Sequence, residues 1–190
     1  MKLTITILTV LYFVGEQSAI AQQKFKPLSV HDTVPELELK MINYKAPTVK
    51  LSDFRGKLLI LDFWSKWCSV CIAQFAKVKK LQDEFGDGIF ILPVGYQTDM
   101  KWDNIEHFYE QRISMGNPIE IPSAVQDMKT DTLLRRLFPF SAVPYLIWID
   151  HSGTVLGITS HHALTSEMIQ IYLDDHRRLE KLRGAFDKIK

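Results

Sequence analysis

Hydrophobic positions along the chain follow two rhythms. Over residues 34–39, Val34-Pro35-Glu36-Leu37-Glu38-Leu39 alternates apolar and polar side chains, the period-two pattern of a half-buried strand. A loop at 43–47 and a second short strand at 48–51 extend this into a predicted hairpin. Residues 58–64, Leu58-Leu59-Ile60-Leu61-Asp62-Phe63-Trp64, are nearly continuous in apolar character, which predicts a central strand covered on both faces. After Cys68 the spacing lengthens to about 3.6. Cys71, Ile72, Phe75, Val78, Leu81 and Phe85 then lie on one side of a helix and Lys77, Lys79 and Lys80 on the other, with Gly86 as its stop. A second buried strand at 89–94 completes a strand-helix-strand unit, which implies a right-handed parallel crossover and an α/β fold.

Beyond this unit the pattern is weaker. Trp102, Ile105, Phe108, Tyr109 and Ile113 mark an amphipathic helix over 102–115, residues 116–122 break it, and a short helix is predicted at 130–138. The strand pattern resumes at 143–150, and Asp150-His151-Ser152-Gly153 turns it back into 154–158 as a β-hairpin. A last helix starts at Thr165 or Ser166 and carries a stripe through Ile169, Tyr172, Leu173, Leu179, Leu182, Phe186 and Ile189.

The first residues do not belong to this pattern. Lys2 precedes an apolar run over 3–14, then a polar stretch and Ala19-Ile20-Ala21 before Gln22. A dozen apolar residues fall short of the ~20 a spanning helix needs, and the small-x-small triplet is a cleavage signal, so 1–21 reads as a signal peptide. The expected organisation is a signal peptide at 1–21, a lead-in at 22–35, one domain at 36–178 and a helical extension at 179–190. Export to the periplasm follows from it, without stable membrane insertion once the signal is cut. The remaining composition suits a soluble globular domain, with 46% hydrophobic and 24% charged residues among 190. A net charge of +1, from 23 basic and 22 acidic residues, leaves no basic footprint for nucleic acid.

Export changes the meaning of the only two cysteines, Cys68 and Cys71. Exported proteins use cysteines as scaffolding in several pairs, whereas this chain has one pair two residues apart. A loop that short removes little chain entropy, so a purely structural staple is a poor use of it. At the mouth of a helix, Cys68 meets the unpaired N–H groups and the positive end of the dipole, which favour a thiolate. Cys71 follows one turn later on the same face. Cys68 is therefore the expected nucleophile and Cys71 the resolving thiol.

Asp62 interrupts the buried strand. A carboxylate there is costly unless paired or protonated, so burial should raise its pKa and fit it to accept the Cys71 proton; the competing placement is an Asp turned outward at a strand end. Trp67 reads as a buried aromatic and as a shield over the sulfur, two compatible readings, and Lys66 as a solvated cation. A structural zinc site needs about four ligands, and neither a second cysteine pair nor a suitably spaced histidine is present. His161-His162 reads as part of a polar loop. No cofactor beyond a redox-active Cys68–Cys71 disulfide is expected, and no metal.

With Trp67-Cys68-Ser69-Val70-Cys71 on a strand-to-helix turn and Val143-Pro144 opening a late strand, the chain resembles the thioredoxin superfamily, and more closely its exported TlpA/ResA-type disulfide reductases. The resemblance spans residues 30–176, including Leu51-Ser52-Asp53-Phe54-Arg55-Gly56-Lys57 before the central strand. It implies a thioredoxin-like fold: a central mixed β-sheet flanked by helices, with an N-terminal hairpin and an insertion between Gly95 and Pro144. It also implies a cis bond before Pro144, placement of that proline against the cysteines, and pairing of the Val143 backbone with an extended client segment. Trp67, Val143 and Pro144 are thus the expected substrate-binding residues. The implied activity is reduction of disulfides in exported proteins, with a membrane thiol-disulfide carrier as electron donor. Val70 departs from the proline common at that position. Two other readings stay open. A peroxiredoxin-like peroxidase would carry Pro-x-x-x-Thr/Ser-x-x-Cys, of which Ser65 matches but Leu61 does not, and a redox-inert thioredoxin-fold module would use only the groove near Pro144.

Overall fold

The computed structural model describes residues 26–97, 104–127 and 133–187. The expected signal peptide, Trp102, Ile189 and the start of the short helix at 130–132 lie outside them. In chain order the elements are β1 (Glu38–Ile42), β2 (Thr48–Lys50), β3 (Leu58–Trp64), α1 (Ser69–Phe85), β4 (Ile89–Gln97), α2 (Ile105–Ser114), β5 (Ser123–Asp127), α3 (Leu133–Leu137), β6 (Tyr145–Ile149), β7 (Val155–Ser160) and α4 (Ser166–Asp187).

All seven residues of β3 are buried, as its unbroken apolar run predicts. The strand lies inside one mixed sheet of order β2-β1-β5-β4-β3-β6-β7, parallel to β4 and antiparallel to β6. Alternation sends its side chains to two cores. Leu59, Leu61 and Phe63 join Leu134, Leu137, Phe138 and Phe140 around α3, together with Val34 of the lead-in and Leu37 just before β1. Leu58, Ile60 and Trp64 pack with Phe75, Val78 and Leu81 of α1, Ile105 and Tyr109 of α2, and Ile169 of α4.

The hairpin of β1 and β2 forms, but β1 begins at Glu38 rather than Val34. Val34 is buried without being in a strand: its N–H bonds Gly153 O at 2.9 Å, and Thr33 bridges Thr154. An isolated bridge and burial against the β6–β7 turn, not membership of β1, account for the buried Val34. Strand β5, Ser123-Ala124-Val125-Gln126-Asp127, has no counterpart in the sequence reading. Its polar members Ser123 and Gln126 are buried between β4 and β1, so tertiary context supplies what the pattern does not.

Candidate active site

Strand β3 delivers the site. At its end Trp64 is fully buried, its indole N–H donating to Ser123 Oγ at 3.2 Å and its ring meeting Phe75 edge-on at 4.9 Å. Gly95 passes so close that an added Cβ would lie 3.1 Å from that ring, which fixes β4 against the indole. The chain then turns at 65–68, with Cys68 N–H bonded to Ser65 O at 3.0 Å, and enters α1.

Cys68 is the N-cap of α1: its backbone is extended, and its sulfur accepts from Cys71 N–H at 3.2 Å. The two cysteines are joined in a disulfide, their Cα atoms 5.2 Å apart. Cys71 is buried and Cys68 is partly exposed, so one sulfur can be reached from outside and the other is backed by the core. The Val143–Pro144 bond is cis. The sulfur of Cys68 lies 3.9 Å from Val143 O, and Ser65, Trp67, Cys68, Ser69, Val70, Val143, Pro144 and His161 line an open groove of about 500 Å³.

Trp67 is 66% exposed, which rules out a buried aromatic; it stands on the groove wall with the Lys66 ammonium 4.8 Å from its ring centre. Asp62 points inward, not outward: it is 1% exposed and shares the α1-facing side of β3 with Ile60 and Trp64. Gln74 of α1, also buried, donates to Asp62 Oδ2 at 3.4 Å, while Oδ1 is buried with no hydrogen-bond partner among the described residues. Burial pushes the Asp62 carboxyl from an ordinary 3.8 up to about 7, the Gln74 amide pulling weakly the other way. Among the described residues no group of three or more metal-ligating side chains converges.

Two residues of this region escaped sequence reasoning. Gln74 was legible in principle, because it sits three positions after Cys71 on the stripe that faces the sheet. His161 was not. It enters the groove because Ser160 pairs with Tyr145, next to Pro144, and that register cannot be read locally.

A mixed sheet, a C-x-x-C disulfide at a helix N-terminus and a cis-proline loop against it define a thioredoxin-like disulfide oxidoreductase. The chain belongs to the AhpC/TSA family, whose sequence model matches residues 30–129. It is similar to the thiol-disulfide oxidoreductase ResA of Oceanobacillus iheyensis, 28% identical over 150 residues covering 77% of this chain and 72% of that protein. It is also similar to the thiol:disulfide interchange protein DsbE of Vibrio cholerae, 26% identical over 95 residues, half of this chain and 47% of that one. In fold it matches the pneumococcal exposed lipoprotein thioredoxin Etrx1 of Streptococcus pneumoniae, with a TM-score of 0.59 and 23% identity over 74% of this chain and 99% of that one. Peroxidase chemistry finds less support. The position where a peroxidase pattern carries proline is Leu61, fully buried in β3, and the sulfur beside Cys68 is that of Cys71.

Proposed function

We propose that the protein reduces disulfides in exported proteins through a mixed disulfide on Cys68. One observation carries this reading: the reachable sulfur of a bonded pair opens into a groove beside the Val143 carbonyl, while its partner sulfur is buried. In the reduced protein the Cys68 thiolate, held by the Cys71 N–H and the first turn of α1, attacks one sulfur of the client disulfide. A Cys68–client bond forms, and the other client sulfur leaves as a thiolate that takes a proton from solvent. Cys71 then passes its proton to Asp62 and attacks the Cys68 sulfur. The Cys68–Cys71 bond closes and the second client sulfur leaves. Two electrons have moved from the dithiol to the client, and a membrane dithiol carrier restores them.

Trp67 walls the groove, and the Val143 backbone pairs with an extended client segment as an added strand. Residues 1–21 act as the export signal, 36–178 as the working domain and 179–190 as a helical extension. The expectation of export is supported by the apolar run and small-x-small triplet at the N-terminus.

The test is a trapping experiment. Reduced Cys71→Ser protein, mixed with a disulfide-bonded peptide, should accumulate a covalent adduct that dithiothreitol releases. Cys68→Ser protein should form none, and an equal adduct from Cys68→Ser would reverse the assignment.

A further inference from the structure

His161 is the one imidazole lining the groove, and the disulfide exchange leaves it without a role. That imidazole lies on the short 3-10 turn His161–Ala163, directly after β7, and shares the groove wall with Cys68, Val143 and Pro144. His162 stacks on it, ring centres 4.0 Å apart, and the charge of Lys77 on α1 acts on it as well. Other titratable groups nearby among the described residues include Lys66 beside Trp67, Tyr145 across the β6–β7 register, and Cys68 itself once reduced. Further along α1, Glu84 accepts from Ser166 at the start of α4. None of the groove-lining residues is a carboxylate. The rim of the groove is therefore cationic or neutral, and its charge rises as the medium is acidified.

We propose that His161, backed by His162 and Lys77, makes this groove selective for client segments that carry a carboxylate next to the disulfide, a preference that grows as pH falls. This rests on the disulfide-reductase reading of the same groove. A client strand laid along Val143 brings the residues flanking its cysteine toward the His161 turn. An acidic flank there meets a protonated imidazole; a basic flank meets like charge. Partial desolvation, then the positive fields of His162 and Lys77, hold the imidazole below its ordinary range, so the free protein protonates it less readily than an ordinary histidine. A bound carboxylate draws the proton back.

The experiment uses three disulfide-linked peptides identical except for Glu, Gln or Lys beside the cysteine. The pre-reduced full-length protein is mixed with each, and its oxidation is followed by tryptophan fluorescence in single turnover from pH 5.5 to 8.0. Taking the ratio of the Glu to the Gln rate constant at each pH cancels the thiolate fraction common to both. The expected ratio is about threefold to fivefold at pH 5.5, the scale of one partly screened ion pair, falling toward one at pH 8.0. It should flatten in His161→Gln and, in the unaltered protein, collapse in 0.5 M salt at about the same pH. The salt arm needs no variant. A ratio that does not change with pH, or that rises equally in His161→Gln, overturns the assignment. If none of the peptides is reduced, the reductase reading falls and this inference with it; equal reduction of all three at every pH sinks this inference alone.

Discussion

Asp62 sets the residue scale. A carboxyl whose pKa climbs to about 7 in the folded state holds its proton where the unfolded chain has already lost it. Between pH 4 and 7 this group therefore binds more protons in the native than in the unfolded state, so its contribution to stability is full below about pH 4 and is lost as pH rises through 7. The full effect is on the order of 4 kcal/mol. For the oxidised protein the urea midpoint should decline from pH 5 to pH 8.5, and Asp62→Asn should flatten that decline while remaining folded. A wild-type profile as flat as that of the variant would show that the carboxyl is not held as described. Gln74 supplies a finer check. Its amide stabilises the ionised form, so Gln74→Leu should move the decline to higher pH. The residue types of this pair explain what could be read beforehand: an Asp inside LLILDFW announces itself, whereas a Gln on a helical stripe resembles any surface glutamine until the helix is docked.

At the scale of elements, legibility followed the locality of the forces. Strand β3 and helix α1 carry their pattern within themselves, as an apolar run and a 3.6-residue stripe ended by Gly86, whose φ is +54°. Strand β5 does not, because Ser123-Ala124-Val125-Gln126-Asp127 becomes a strand only through β4 on one side and β1 on the other. The docking of α4 on the sheet is likewise non-local, and a single glycine exposes it. Gly157 of β7 is buried under Tyr172, whose hydroxyl would stand 2.5 Å from an added Cβ, while the ring stacks on Trp148 with centres 4.9 Å apart. A methyl group there displaces the Tyr172 hydroxyl, and with the ring packed on Trp148 the displacement is expected to pass to α4. Gly157→Ala should cost about 1–3 kcal/mol, the usual range for overpacking, seen as a lower urea midpoint with faster amide exchange in the first turns of α4. Unchanged exchange in those turns would mean that the tyrosine gives way without moving the helix.

For the whole molecule, what matters is how folding energy and redox energy share one cycle. The cysteine motif, the central strand and the late proline were legible together because each is a short stretch, but the potential they produce depends on how the assembled core treats charge. Two features oppose each other. The Cys71 N–H and the start of α1 stabilise a thiolate on Cys68, which favours the reduced state. An ionised Asp62 on the same side of β3 as Cys71 disfavors negative charge on the sulfurs, which favours the disulfide and makes the protein a stronger reductant. The second influence grows as pH passes 7, where Asp62 loses its proton. A protein that gives electrons to its clients should, in a dithiothreitol or glutathione series, show a potential nearer the thioredoxin end, about −270 mV, than the oxidant end, about −120 mV. Replacing Asp62 with Asn should make the potential less negative at pH 8 and leave it nearly unshifted at pH 5.5, where the wild-type carboxyl is already neutral. Each 30 mV of that difference corresponds to about 1.4 kcal/mol of interaction between the carboxylate and the reduced pair. A variant that shifts equally at both pH values would place the effect in packing rather than charge, and a wild-type value close to −120 mV would reverse the direction of electron flow assigned to the site.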